Sequence, residues 1–269
     1  MSALTLTLKH LPAGRLDLSP LMPFLASGEL SGLPALPLQL ATQKIPLGEL
    51  FEVNGSDATQ LVLQGDLSRV DGIGAAMQTG SLTLAGNAGA YLGTGLLGGE
   101  INVHGHAGNF VGVAMRKGSI HIKGNAGDYL GGILPGAMQG MAGGQIVVQG
   151  DVGERCGDRM RRGAILIGGK VGDYAGSRML AGTIAVFGGA GKHAGYGMRR
   201  GTLMIRGEIE IDATFADCGE QVLPITNLLF RSWEKLGSPF GDAAGQATPV
   251  HRFMGDRGAD GKGEILRFK

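Results

Sequence analysis

Three basic pairs are the residues of this sequence best placed to act on something outside it. Arg116-Lys117, Arg161-Arg162 and Arg199-Arg200 each directly follow a methionine. Between Gly80 and Gly207 there are 13 Lys and Arg against 6 Asp and Glu, although the whole chain carries only +1. A local basic excess on a near-neutral chain reads as a solvated basic face or a local docking stripe, not as attraction of the whole molecule toward nucleic acid or membrane. Guanidinium groups pair with carboxylates through two parallel N–H donors. The stripe therefore suits an acidic protein surface or a polyanionic ligand, with a solvated basic face as the bland alternative. Aromatic residues do not interleave with the pairs, which argues against nucleic acid.

The other reactive residue types form no constellation. His10, His104, His106, His121, His193 and His251 have no metal-ligand spacing with Cys or carboxylates. His104 and His121 read as outward, solvated strand residues. Cys156 and Cys218 lie far apart and read as free thiols of a reducing compartment. The segment Gly189-Ala190-Gly191-Lys192-His193-Ala194 meets a relaxed dinucleotide fingerprint, but that motif needs a strand before it and a helix after it. No Gly-Lys-Ser/Thr sequence is present, so there is no Walker loop. The pairs Asp128-Tyr129 and Asp173-Tyr174 recur because a larger unit recurs, which is a structural reason. These readings predict a chain without catalytic residues and without a metal of its own.

The larger unit is a repeat. GEINVHGHAGNFVGVAMRK starts at Gly99, GQIVVQGDVGERCGDRMRR at Gly144, GAILIGGKVGDYAGSRMLA at Gly163 and GTIAVFGGAGKHAGYGMRR at Gly182. Each spans 19 residues and follows G-x-I-x-V-x-G-x-x-G-x-x-x-G-x-x-M-x-x, with Ile167 in the Val place of the unit at Gly163. Gly80 opens an earlier unit, Gly118 opens one lengthened by seven residues, and Gly201 begins an incomplete one. Glycine accounts for 51 of 269 residues, with no period of three, so collagen is excluded.

Within each unit a short segment alternates, as Ile146 and Val148 do against Gln145, Val147 and Gln149. Period-two alternation means a strand with one face inward. So short a unit has no core of its own and must stack on its neighbours. Parallel stacking predicts an all-β fold, a right-handed parallel β-helix of about seven coils, with glycines at the corners. Equivalent positions then form columns. Tyr91, Phe110, Tyr129, Arg155, Tyr174 and His193 share one, and Met77, Met115, Met141, Met160, Met179 and Met198 share another. Both read as packing. Cys156 occupies the place of Leu92, Val111 and Leu130 and reads as core. The lengthened unit, Gly131 to Gly144, predicts a projecting apolar loop with Ile133, Leu134 and Met138 offered to a partner.

The flanks divide the chain into an N-terminal cap (1–60), the β-helix (61–210), and a C-terminal cap helix with an extended tail (211–269). The helix begins at Pro224 and is expected to cap the far end. The Gly-rich residues from Ser238 on read as disordered or as an arm that orders on a partner. The N-terminus lacks the pattern of a signal peptide, and no apolar run approaches the ~20 residues of a membrane span. A cytoplasmic protein is expected.

The repeat, the lead-in LGELFEV and the overall length resemble the C subunit of formylmethanofuran dehydrogenase along nearly the whole chain. The repeat alone also resembles the C-terminal β-helix domain of the large glutamate synthase subunit. The first family has two settings. One is a tungsten or molybdenum iron-sulfur enzyme of methanogens. The other is the bacterial formyltransferase/hydrolase complex, which the Arg, Ala, Leu and Gly bias favours. The resemblance implies a non-catalytic scaffold among sister subunits A, B and D. It implies a complex that passes a formyl group from tetrahydromethanopterin to a methanofuran-type coenzyme and releases formate. Zinc and the transferase site are then expected in sister subunits, and the polyglutamate arm of the coenzyme becomes a candidate partner for the basic stripe.

Overall fold

The computed structural model describes residues 2–242 and 248–269. The N-terminal part contributes β1 (Ala3–Leu8), β2 (Leu16–Asp17), α1 (Leu21–Ala26), β3 (Pro37–Leu40), β4 (Gln43–Pro46), α2 (Leu47–Leu50) and β5 (Phe51–Asn54). The repeats contribute β6 (Asp57–Gln64), β7 (Val70–Asp71), β8 (Ser81–Leu84), β9 (Glu100–Val103), β10 (Ser119–Ile122), β11 (Ala142–Val148), β12 (Arg162–Ile167), β13 (Thr183–Val186) and β14 (Thr202–Arg206). Beyond them lie β15 (Ala216–Val222), α3 (Pro224–Trp233), β16 (Pro249–Gly255) and β17 (Gly263–Phe268).

The fold is mostly β. One sheet has 13 strands in the order β15-β16-β17-β14-β13-β12-β11-β10-β9-β8-β6-β1-β5, and a second has four, β4-β3-β2-β7. From β1 to β17 every neighbouring pair of the large sheet is parallel. The antiparallel pairs stand only at its two ends, where β5 joins β1 and β15 and β16 follow β17. A second run of parallel bridges joins Leu67, Ala88, Ala107, Ala126, Val152, Val171 and Ala190. Each unit is thus tied to the next at two places.

The register explains the alternating sequence. Leu82 pairs with Ile101, Ile101 with Ile120, Ile120 with Ile146, and so on to Ile184, Leu203 and Ile265. These side chains are buried and stack in one internal row. The methionine column is buried beside them, with Met115, Met141, Met160, Met179 and Met198 wholly inaccessible. Cys156 is buried in the same core, as expected, and burial pushes its thiol up to about 12. Glycine is required where the chain passes tightly over this row. At Gly157 φ is +67°, and a Cβ there would lie 2.4 Å from Ile184 Cδ1. At Gly163, φ +103°, a Cβ would meet the Gly144 carbonyl oxygen at 2.6 Å.

The outward row of the large sheet changes character along the stack. It runs Thr83, Asn102, His121 and then Val147, Leu166, Ala185, Met204 and Leu266. The apolar stretch needs a cover, and α3 supplies it. Phe230, Trp233, Phe240, Val250 and Phe268 pack on Val147, Leu166, Ala185 and Met204 in a second buried cluster. The helix therefore covers a face of the sheet, which corrects the expectation that it caps an end.

The C-terminal residues also differ from expectation. They are neither a loose tail nor a partner-dependent arm, since β16 and β17 join the large sheet. The physical reason is visible in their side chains: Val250, Phe253, Ile265, Leu266 and Phe268 are all buried and continue the two apolar layers. The part of the expected tail at 243–247 lies outside the described residues. No helix among the described residues is long and apolar enough to cross a membrane.

Candidate functional site

The corner between successive strands carries two left-handed positions in most units. Tyr91, Phe110, Tyr129, Arg155, Tyr174 and His193 occupy the first, with φ between 55° and 62°. Ala76, Ala114, Arg159 and Arg178 occupy the second, with φ between 52° and 56°. Holding a residue with a Cβ there costs about 1–2 kcal/mol, so bulky side chains need an offsetting contact. Parallel stacking provides one. The rings of Tyr91 and Phe110 stack at 5.0 Å, and those of Phe110 and Tyr129 at 4.9 Å. The first column is thus a half-buried outer stack, not core packing as the sequence suggested; only the methionine column is core.

The stack continues with different chemistry. The Arg155 guanidinium lies 4.7 Å over the Tyr174 ring, and His193 stacks on Tyr174 at 5.1 Å. The Tyr196 ring meets Tyr174 edge-on at 6.1 Å. Arg178 donates from Nε to Asp158 Oδ1 at 3.0 Å and from Nη2 to Oδ2 at 2.5 Å. Asp158 is fully buried and also accepts from Ser177 Oγ at 2.9 Å. Arg155, Tyr174, Arg178, His193 and Tyr196 enclose an open cleft of about 390 Å³. The repeat places Arg155, Tyr174 and His193 in one column, but by itself singles out none of Asp158, Arg178 and Tyr196. The spacing of four between Tyr174 and Arg178 was a signal, but only with the left-handed backbone at both positions does it bring them to one cleft.

The recurring acidic and amide residues have the structural role expected of them. Asn109 Oδ1 accepts from the Asp128 N–H, Asp128 Oδ1 from the Glu154 N–H, and Asp173 Oδ1 from the Lys192 N–H. His106 does the same through Nδ1, which accepts from the Asn125 N–H at 3.0 Å. His104 is exposed and His121 half-buried. No group of three or more His, Cys, Asp or Glu that could hold a metal occurs among the described residues.

The basic pairs all lie on the surface. Arg116, Lys117, Arg161, Arg162, Arg199 and Arg200 are exposed, and none has a carboxylate partner among the described residues. Backbone bonds run from Arg161 N to Met141 O and from Arg199 N to Met179 O, so the pairs stand in register along the stack. The lengthened loop behaves unevenly. Met138 is 79% exposed, whereas Ile133 and Leu134 are half-buried. Leu134 lines an open pocket together with Tyr91, Thr94 and Asp71. Gln139 Oε1 accepts from Arg161 Nη1 at 3.2 Å, linking the loop to the stripe.

Comparison with known proteins gives two findings. Residues 55–229 match the family described as "GXGXG motif". The whole chain is similar to a chain in the X-ray crystal structure of the formyltransferase/hydrolase complex (FhcABCD) from Methylorubrum extorquens in complex with methylofuran. The two are 37% identical with a TM-score of 0.91, over 98% of each chain. Among curated proteins no match was found.

Proposed function

Because the chain belongs to the GXGXG-motif family and is related along its whole length to a subunit of the formyltransferase/hydrolase complex, we propose that it is a non-catalytic scaffold subunit of such a complex. The complex would move a formyl group between tetrahydromethanopterin and a methanofuran-type coenzyme and yield formate. Full-length similarity, 98% of both chains at 37% identity, is the observation that carries this reading. Sister subunits A, B and D would supply the transferase and hydrolase sites and the zinc, in the cytoplasm. The chain's part is to present a rigid stack. We read that stack as a right-handed parallel β-helix of about seven coils (61–210), with 1–60 as an N-terminal cap and 211–269 as a C-terminal unit. The two parallel ladders and the usual hand of parallel crossovers support this reading.

The stripe Arg116, Lys117, Arg161, Arg162, Arg199 and Arg200 would hold either an acidic sister subunit or the carboxylate-rich arm of the coenzyme. One such charge facing a carboxylate at ~4 Å is worth about 1 kcal/mol in a water-like dielectric, so the stripe must act as a set. Ile133, Leu134 and Met138 would add an apolar contact, chiefly through Met138.

The test is reconstitution with the three sister subunits. The purified chain alone should have no formyltransferase or hydrolase activity, and the four-subunit assembly should have both. Turnover by the isolated chain would defeat the scaffold reading. Changing Arg161, Arg162, Arg199 and Arg200 together to Ser should keep the fold and weaken assembly or coenzyme retention, more at low salt than at high. Unchanged assembly and retention at low ionic strength would leave the stripe a solvated face.

A further inference from the structure

We propose that the cleft between Arg155, Tyr174, Arg178, His193 and Tyr196 binds a small carboxylate ligand with a planar body. The site is separate from the basic stripe, and the proposal does not depend on the scaffold reading.

Three features carry it. The first is a preorganised donor. Arg178 uses Nε and one Nη2 N–H on Asp158, a carboxylate with no solvent exposure, and its Nη1 has no hydrogen-bond partner among the described residues. Burying a carboxylate to fix a half-exposed guanidinium orients the remaining N–H groups before any ligand arrives. The second is the charge of the cleft. The Arg178–Asp158 pair is neutral as a unit, and His193 Nδ1 stands 3.3 Å from Asp212 Oδ2. Arg155 has no carboxylate partner among the described residues; its guanidinium carbon lies over the Tyr174 ring, 4.7 Å from the centroid. A guanidinium without a carboxylate partner suits a carboxylate, which can accept two parallel N–H donors from it. The third is an open aromatic face. Both sides of the Tyr174 ring are covered, by Arg155 and His193, whereas Tyr196 is 53% exposed at the rim and can receive a flat group.

The local sequence agrees. Only in these units do arginines take the left-handed positions, Arg155 in the first column and Arg159 and Arg178 in the second, where alanine or glycine stands in earlier units. The cleft thus exists at one place along an otherwise regular stack.

The experiment is a titration of the full chain with benzoate, followed by NMR shifts or calorimetry, with cyclohexanecarboxylate and inorganic phosphate as comparators. Saturable binding of benzoate in the millimolar range or tighter is expected, with both comparators at least several-fold weaker. Arg155→Gln should weaken benzoate by about tenfold, a loss of about 1.4 kcal/mol. Tyr196→Ser, at an exposed position, should weaken it several-fold without altering the melting temperature. The pair Asp158→Asn with Arg178→Gln removes the oriented donor without stranding a buried charge, and should also weaken binding. The Arg161, Arg162, Arg199 and Arg200 to Ser variant should bind benzoate like the unchanged chain. Absence of saturable binding to the unchanged chain overturns the proposal. So does phosphate binding as well as benzoate, cyclohexanecarboxylate binding equally, or a loss in the stripe variant equal to that in Arg155→Gln.

Discussion

Two glycines with nearly the same backbone test how the repeat is held together. Gly157 has φ +67° and Gly95 φ +65°, so an alanine at either position meets the same left-handed penalty. Their surroundings differ. A Cβ at Gly157 would approach Ile184 Cδ1 to 2.4 Å, whereas nothing lies within 4 Å of one at Gly95. Gly95 also shares its place in the unit with Ala76 and Ala114, both at φ 56°, so the fold already tolerates a methyl there. Gly95→Ala should therefore cost only the conformational term, about 1–2 kcal/mol. Gly157→Ala adds overpacking of the internal isoleucine row, about 1–3 kcal/mol, for a total of about 2–5 kcal/mol. The Ile184 methyl is the end of a flexible side chain, but its rotamer is confined by buried Ile165 on the preceding strand, so relaxation is incomplete. Urea unfolding of both variants against the unchanged chain reads the two terms, provided the m-value is constant. If the two variants lie within about 0.5 kcal/mol of each other, the range of an ordinary surface change, the inner glycines are there for φ alone and the close-packing account is wrong.

Other outcomes follow from single environments. Cys156 is fully buried with its thiol raised to about 12, and Cys218 is exposed, so a thiol titration should find one reactive cysteine in the native chain and two in denaturant. Phe230 is fully buried between Trp233 and Phe268, and Phe230→Ala should destabilise the chain by about 3–5 kcal/mol; a loss near zero would mean that α3 is not part of the cooperative fold. Burial alone would raise the Asp256 carboxyl, but hydrogen bonds from the Gly197 N–H, the Thr214 hydroxyl and the Gly258 N–H hold it below the usual carboxylate range. A depressed folded value means that its contribution is complete above the unfolded pKa of about 3.9 and is lost as pH falls through the folded value. The stability difference between the unchanged chain and Asp256→Asn should accordingly be flat from neutral pH down to about 4 and vanish below the folded value. A difference that grows on acidification would reverse the assignment.

Much of the fold is legible in the amino-acid order. The spacing of Gly, Ile, Val and Met determines a stack of parallel units, because a 19-residue segment with one apolar strand face has no other way to bury it. The burial of the methionine column and of Cys156, and the structural role of Asp128 and Asp173, follow from the same period. The apolar run Ile165-Leu166-Ile167 also carried a readable signal, since a strand apolar on both faces must be covered on both. What covers it was not legible. Phe230 and Trp233 come from a helix some sixty residues later, and β17 pairs with β14 across the whole of α3 and β16, contacts that no local pattern specifies. The cleft at Arg155 and Arg178 belongs to the same class. Arginine in a repeat reads as a solvated charge until the left-handed corner, the buried Asp158 and the ring of Tyr174 fix its direction. Periodicity determines which residues are equivalent along the chain; only the tertiary stack decides which side chains meet across it, because those contacts depend on backbone direction and on segments far apart in sequence.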